Sequence, residues 1–291
     1  MSELEVLDRG EFTLNPERAL ELLGDKLLPT RHHYLLLWVQ AAYLLGAPEL
    51  TISVGWFSIR LHFSPIREIG ELNLAQQIPL GSDRALQALA LGVRVASRGT
   101  GKVTLQTSHG SQVFSKDGSW AESGCIRQGV VLSVTRFRWD HSFELLLLSQ
   151  ACAWSPIPIS LNGRDLRLKF WGDSRTLVER YLAGEGLSAP GASLAQRPHR
   201  VPLEQVGQRV SSRLALSLSG RQSDAALTWV RHAVVIGESQ RDLEIPGLCA
   251  VVCVDDLPTD LTGFGLLEGP ELQKRIDEVR VEALVMKESM G

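Results

Sequence analysis

A two-part α+β fold is what this sequence predicts, and three features predict it. Apolar residues recur at helical spacing in "YLLLWVQAAYLL", "DRALQALALGVRVASRG", "HSFELLLLSQACAW" and "ELQKRIDEVRVEALVMKES". Between them lie short alternating or β-branched runs bounded by glycine-bearing turns. A Gly, Ser, Ala and Pro-rich stretch at 186–200, "GLSAPGASLAQRPHR", reads as a flexible loop within the second part. The parts so defined are 1–165 and 166–291.

Along the chain, "FTLNPERALELLGDKLL" opens a helix at Asn15-Pro16-Glu17, with proline in the first turn. The helix from Tyr34 ends at Gly46-Ala47-Pro48, and "LTISVGWFSIRLHF" alternates about Gly55 as a hairpin. Asp83 starts the next helix and Gly99 stops it. "KVTLQTS", "SQVFSK" and "GVVLSVTRF" are strands, "HSFELLLLSQACAW" is a helix, and "IPISLNGRDL" is a hairpin turning at Asn162-Gly163. After the loop come strands "RLALSLSG", "AALTWVRHAVVIGE" and "GLCAVVCVDD", then a final helix.

Composition narrows the function. The chain has 291 residues, 44% hydrophobic and 22% charged, enough to bury a substantial core. A net charge of −3 with scattered basic residues gives no footprint for nucleic acid. No apolar run reaches the roughly 18 residues of a membrane span, and the acidic start "MSELEVLDRGEFTL" is no signal peptide. Cys125, Cys152, Cys249 and Cys253 form no CxxC pair. On one strand Cys249 and Cys253 lie about 13 Å apart, too far to bridge. Buried reduced thiols and a cytoplasmic protein are expected.

The order of elements up to residue 165, with the helix carrying "LLLWVQAA", resembles the ATPase fold shared by DNA gyrase, heat shock protein 90, histidine kinases and MutL, the GHKL superfamily. The part ending in "AVVCVDDLPTDLTGFGLLEG" resembles the β-α-β domain that follows that ATPase, which is like ribosomal small-subunit protein five. The whole is similar to uncharacterised bacterial proteins pairing the two. The resemblance implies a GHKL α/β sandwich and then a transducer-like domain. It also implies a glutamate base and, four residues on, an asparagine that holds Mg²⁺, both on one face of the first long helix. Leu37 stands at the glutamate position and Ala41 at the asparagine position, while Gln40 is polar but one residue off that face. The adenine-reading aspartate is replaced by "SPIREIGELN", and the glycine-rich lid by "PLGSD" with Gly81 alone. Catalytic residues are therefore expected to be absent, with Leu37 and Ala41 as vestigial positions. Gln40 and Gly81 are weak candidates for holding a ligand, and no cofactor is expected.

Other constellations carry less. Asp255, Asp256 and Asp260 in "VDDLPTDL" are candidates for a divalent cation or for acid–base work. The alternative is a strand end and Pro turn with Thr259 or Asp260 capping the next segment, and no glycine-bearing calcium-loop pattern opposes it. His32, His33, His62, His109, His141, His199 and His232 show no HExxH or paired spacing, and His32-His33 read as surface or capping residues. "GTGKVT" lacks the GxxxxGK[ST] frame and leads into a strand. Seven tryptophans and the stripe Leu272, Ile276, Val279, Val281 and Leu284 on the last helix are candidates for core or for protein docking. The reading is a pseudo-ATPase scaffold or adaptor, monomeric when isolated for want of a further dimerisation segment, whose partners are other protein subunits. An ATP-dependent chaperone-like enzyme, or a nucleotide or small-molecule sensor with a rearranged site, is the alternative.

Overall fold

A computed structural model of the chain describes residues 28–67, 69, 83–116, 118–122, 124–126, 128–135, 141–167, 176–188, 209–217, 225–260 and 262–288. The helix expected over 12–28 lies almost wholly outside these residues, as do Gly70 and Gly81.

Thr30 starts the first described helix. Its hydroxyl accepts from the His32 amide, closing a 3-10 turn at Arg31–His33 that runs into α1, Tyr34–Leu44. Gly46, at φ 75°, ends α1 where the sequence places the break. Asp83 caps α2, Arg84–Thr100, by accepting from the Ala85 and Leu86 amides. That helix runs through Gly99 and stops at Gly101, whose φ of 114° suits glycine. Helix α3 spans Ser142–Ala151 and α4 spans Pro270–Glu288.

Eight strands make the first sheet: β1 (Leu50–Val54), β2 (Ser58–Phe63), β3 (Lys102–Thr107), β4 (Gly110–Ser115), β5 (Gly118–Glu122), β6 (Val130–Thr135), β7 (Ile159–Leu161) and β8 (Arg164–Asp165). Their order is β5-β4-β3-β6-β2-β1-β7-β8, antiparallel throughout except for the β1–β7 pair. Strict alternation sends Ile52, Ile59, Leu61, Phe63, Leu132 and Val134 into one core with α1, α2 and Leu148 of α3. Intervening residues such as Thr51, Arg60 and His62 are exposed.

The second sheet holds β9 (Thr176–Ser188), β10 (Arg209–Ser217), β11 (Ala225–Arg231), β12 (Val234–Arg241) and β13 (Leu248–Cys253) in the order β12-β11-β13-β10-β9. It is antiparallel except for β11 beside β13. Leu214, Leu227, Trp229 and Val252 on one face pack with Leu272, Ile276, Val279, Ala283 and Met286 of α4. On the other face Tyr181, Val251 and Cys253 pack with Ala153 and Trp154, which follow α3.

Both parts are thus mixed α+β, and several expectations change. "AALTWVRHAVVIGE" is a hairpin, not one strand. Its turn at His232–Ala233 takes positive φ without a glycine or asparagine to announce it. Strand β9 reaches Ser188, so residues 186–188, expected in the loop, belong to a strand, and the rest of that stretch lies outside the described residues. Strand β5 has no counterpart among the strands the sequence pattern announces. Among the described residues no helix separates the parallel strands of the second sheet, because β12 joins β11 to β13 and α4 follows them all. Among its described residues the second part shows five strands followed by one helix. The α4 stripe also splits: Leu272, Ile276 and Val279 are buried, but Val281 and Leu284 face solvent.

Candidate functional site

Every residue from Tyr34 to Ala42 in α1 is buried. Leu37 and Ala41, four residues apart on one face, are 2% and 0% exposed within the main core. What holds α1 so deep is its packing on α2. The Trp38 ring stands edge-on to Tyr34 at 4.9 Å between centroids, and the indole fills the space over Gly92. A Cβ at Gly92 would sit 2.5 Å from Trp38 Nε1 and 3.2 Å from the Tyr34 carbonyl oxygen, so only glycine admits this approach. A leucine and an alanine in such a face offer neither a proton acceptor nor a metal ligand. Gln40 is also buried, and its amide nitrogen has no hydrogen-bond partner among the described residues.

The chain after β2 folds back over the end of α1. Ile66 lies against Gly46, the Arg67 amide donates to the Leu45 carbonyl at 3.4 Å, and the Arg67 side chain pairs with Asp83. Ile69 returns to the core.

The three aspartates of "VDDLPTDL" are each engaged separately. Asp255 Oδ1 accepts from the His232 amide at 2.6 Å, and its Oδ2 accepts from the Tyr43 hydroxyl at 3.3 Å. Asp256 is paired with Arg275 at 2.8 Å. Asp260 Oδ1 accepts from the Thr262 amide and hydroxyl and from the Gly263 amide, fixing a turn. Among the described residues no three His, Cys, Asp or Glu side chains converge as metal ligands. The geometry agrees with the strand-end and turn reading.

Around Asp255, which Tyr43 of α1 reaches, charged side chains gather. Arg231 donates to Thr259 Oγ1, while its Nε is buried without a partner among the described residues. Burial, then the nearby Arg84 charge, lowers the Arg231 guanidinium, against the pull of Asp255 and Asp260. Burial depresses the His232 imidazole to about 4; Asp255 acts in the opposite sense, and Arg231 and Arg84 add to the depression. The Cys253 thiol is pushed up to about 12 by burial, with Asp255 adding to the shift, so it is held as a neutral thiol. Gly186, at φ 102°, makes room for that thiol. Cys152 is likewise buried and raised to about 12, whereas Cys125 is exposed.

Sequence reasoning missed two buried sites that hold ionisable side chains. His32, expected as a surface or capping residue, is 6% exposed, with Nδ1 3.0 Å from Oε1 of the fully buried Glu144. Arg213, 0% exposed, lies over the Trp154 ring at 4.7 Å and the Tyr181 ring at 5.4 Å. The available signal was a charge inside an apolar run, in "SFELLLL" and "SSRLALS". Trp56 and Trp120 are exposed, Trp38, Trp154 and Trp229 are buried, and Trp139 and Trp171 lie outside the described residues. No helix among the described residues is long and apolar enough to cross a membrane. Comparison of the chain with protein-family models and with curated proteins yields no match.

Proposed function

We propose that this chain is a non-catalytic scaffold or adaptor built on a GHKL-like ATPase fold, working through other protein subunits in a cytoplasmic bacterial assembly. The observation that carries the reading is the burial of Leu37 and Ala41 in the α1 face where hydrolysis would need a carboxylate and a metal ligand. General-base and metal catalysis each contribute several kcal/mol of transition-state stabilisation, and neither group is present at these positions.

Purified protein is expected neither to hydrolyse ATP nor to be stabilised by Mg-ATP. A site with micromolar affinity would gain about 4 kcal/mol from millimolar ligand. A rise of several degrees in Tm with Mg-ATP over buffer salts therefore refutes the scaffold reading. Leu37→Glu with Ala41→Asn is expected to lower Tm without creating turnover, because the new polar groups enter an apolar core.

A second reading, a sensor that binds phosphate-bearing ligands without hydrolysis, draws on one observation. Arg231 is 6% exposed with an unpartnered Nε among the described residues, and Arg84 at the start of α2 lies near enough to act on it. Stabilisation by ATP or pyrophosphate without turnover, lost in Arg231→Met, selects this reading over the first.

A further inference from the structure

We infer that the two sheets are connected by a fixed joint, so that they fold and move as one body. This goes beyond the scaffold reading and does not depend on it, since a protein that bound ATP could have the same joint. Two attachments carry the inference, each completed by residues from both halves.

The first is the β11–β12 turn. His232 and Ala233 take φ of 46° and 72°, a conformation that residues with a Cβ seldom adopt and that persists only where surroundings over-determine it. Ala233 and Val234 are fully buried, and they join Phe264 in the core of the first sheet rather than the core under α4. Asp255 holds this plug in place by accepting from the His232 amide and from the hydroxyl of Tyr43 in α1. His33, before α1, stacks edge-on against Phe264 at 5.1 Å.

The second attachment reverses the roles. Trp154, which follows α3 of the first half, enters the core cluster of Tyr181, Val210, Val251 and Cys253 on the second sheet. There the guanidinium of the fully buried Arg213 lies over the Trp154 ring, and over that of Tyr181, the strand partner of Arg213. Parting the halves would expose this apolar face and take Trp154 away from a buried cation. One attachment would leave a pivot. The second adjoins it where Cys253 meets Asp255, so an opening that parts one disturbs the other.

Calorimetry and hydrogen exchange on the full chain test the joint. Wild-type protein is expected to unfold in a single transition with equal calorimetric and van't Hoff enthalpies; two resolved transitions overturn the inference. In Trp154→Leu, exchange protection is expected to fall about tenfold or more in β9–β10 and by a matching factor in α1 and β1, because one opening unit contains both. Loosening of β9–β10 with α1 and β1 unchanged would reveal a hinge and reject the joint. Should Trp154→Leu not fold, Tyr43→Phe removes one hydroxyl only, and matched or unmatched changes in the same two sets of amides decide alongside the wild-type calorimetry.

Discussion

His232 combines a left-handed backbone, a buried ring 6.4 Å from that of Tyr43, and an amide bound to Asp255. Its charged form is disfavoured because burial strips away water and because Arg231 and Arg84 face it, with Asp255 offsetting only part. A folded pKa of about 4 against 6.5 means the unfolded chain binds the extra proton between those values. This contribution to stability is therefore complete above pH 6.5 and is lost as pH falls toward 4. Asparagine tolerates positive φ and does not titrate, so His232→Asn keeps the turn and removes the linkage. Urea unfolding at pH 7 and pH 4.5 is expected to show wild type losing about 2 kcal/mol more than His232→Asn. Equal losses in the two proteins would refute the assignment. His33, also lowered by burial, is common to both and cancels in the comparison.

At the scale of elements, the α1–α2 contact is the tightest constraint near the candidate site. Replacing Gly92 by alanine gains about 1 kcal/mol of helix propensity. Against this, the new methyl meets a fully buried Trp38 that has nowhere to go, and overpacking of that kind costs about 1–3 kcal/mol. Thermal melting of Gly92→Ala is expected to show a Tm lower by a few degrees, and a stabilised variant would mean that α1 can slide away from α2. Elements announced by local chemistry were legible in the sequence. Asp83, Gly46 and Asn162-Gly163 each mark a boundary that the structure observes, and the Asn162 side chain further bonds the Val54 amide at 2.8 Å. Elements fixed by tertiary contact were not. The His232–Ala233 turn has no turn-forming residue and relies on Asp255, 23 positions away. The candidate site divides in the same way. Burial of Leu37 and Ala41 accords with their apolar character, but Arg213 and His32 are inside because of Trp154 and Glu144, which no spacing along the chain reveals.

For the whole molecule, the question is what its remaining apolar surface can support. Among the described residues the large exposed apolar groups lie on different elements: Trp56 and Phe57 at the β1–β2 turn, Ile66 after β2, Trp120 on the edge strand β5, Phe143 and Leu146 on α3, Leu267 before α4, and Val281, Leu284 and Val285 on α4. Trp120 is also overlaid by Lys102 at 5.9 Å, which keeps a charge against its ring. A stable homodimer buries at least about 1,200 Å² in one self-complementary patch with an apolar centre. Two or three such side chains on one element, as among the described residues, fall short of that area by themselves, yet each group suits an anchor for a different chain, since a few aromatic residues carry most of an interface's binding energy. The isolated protein is accordingly expected to be a monomer. Light scattering coupled to size exclusion at micromolar concentration should return a mass near 32.0 kDa, with the protein migrating in a larger complex in native extract. Twice that mass, unchanged on tenfold dilution, would mean that one of these faces pairs with its own copy and would remove the reason to look for a different subunit. If the monomer mass holds, Trp56→Ala and Leu284→Ala assign the partner's footprint, because an exposed residue that anchors only another chain can be truncated with the monomer's own Tm changing little.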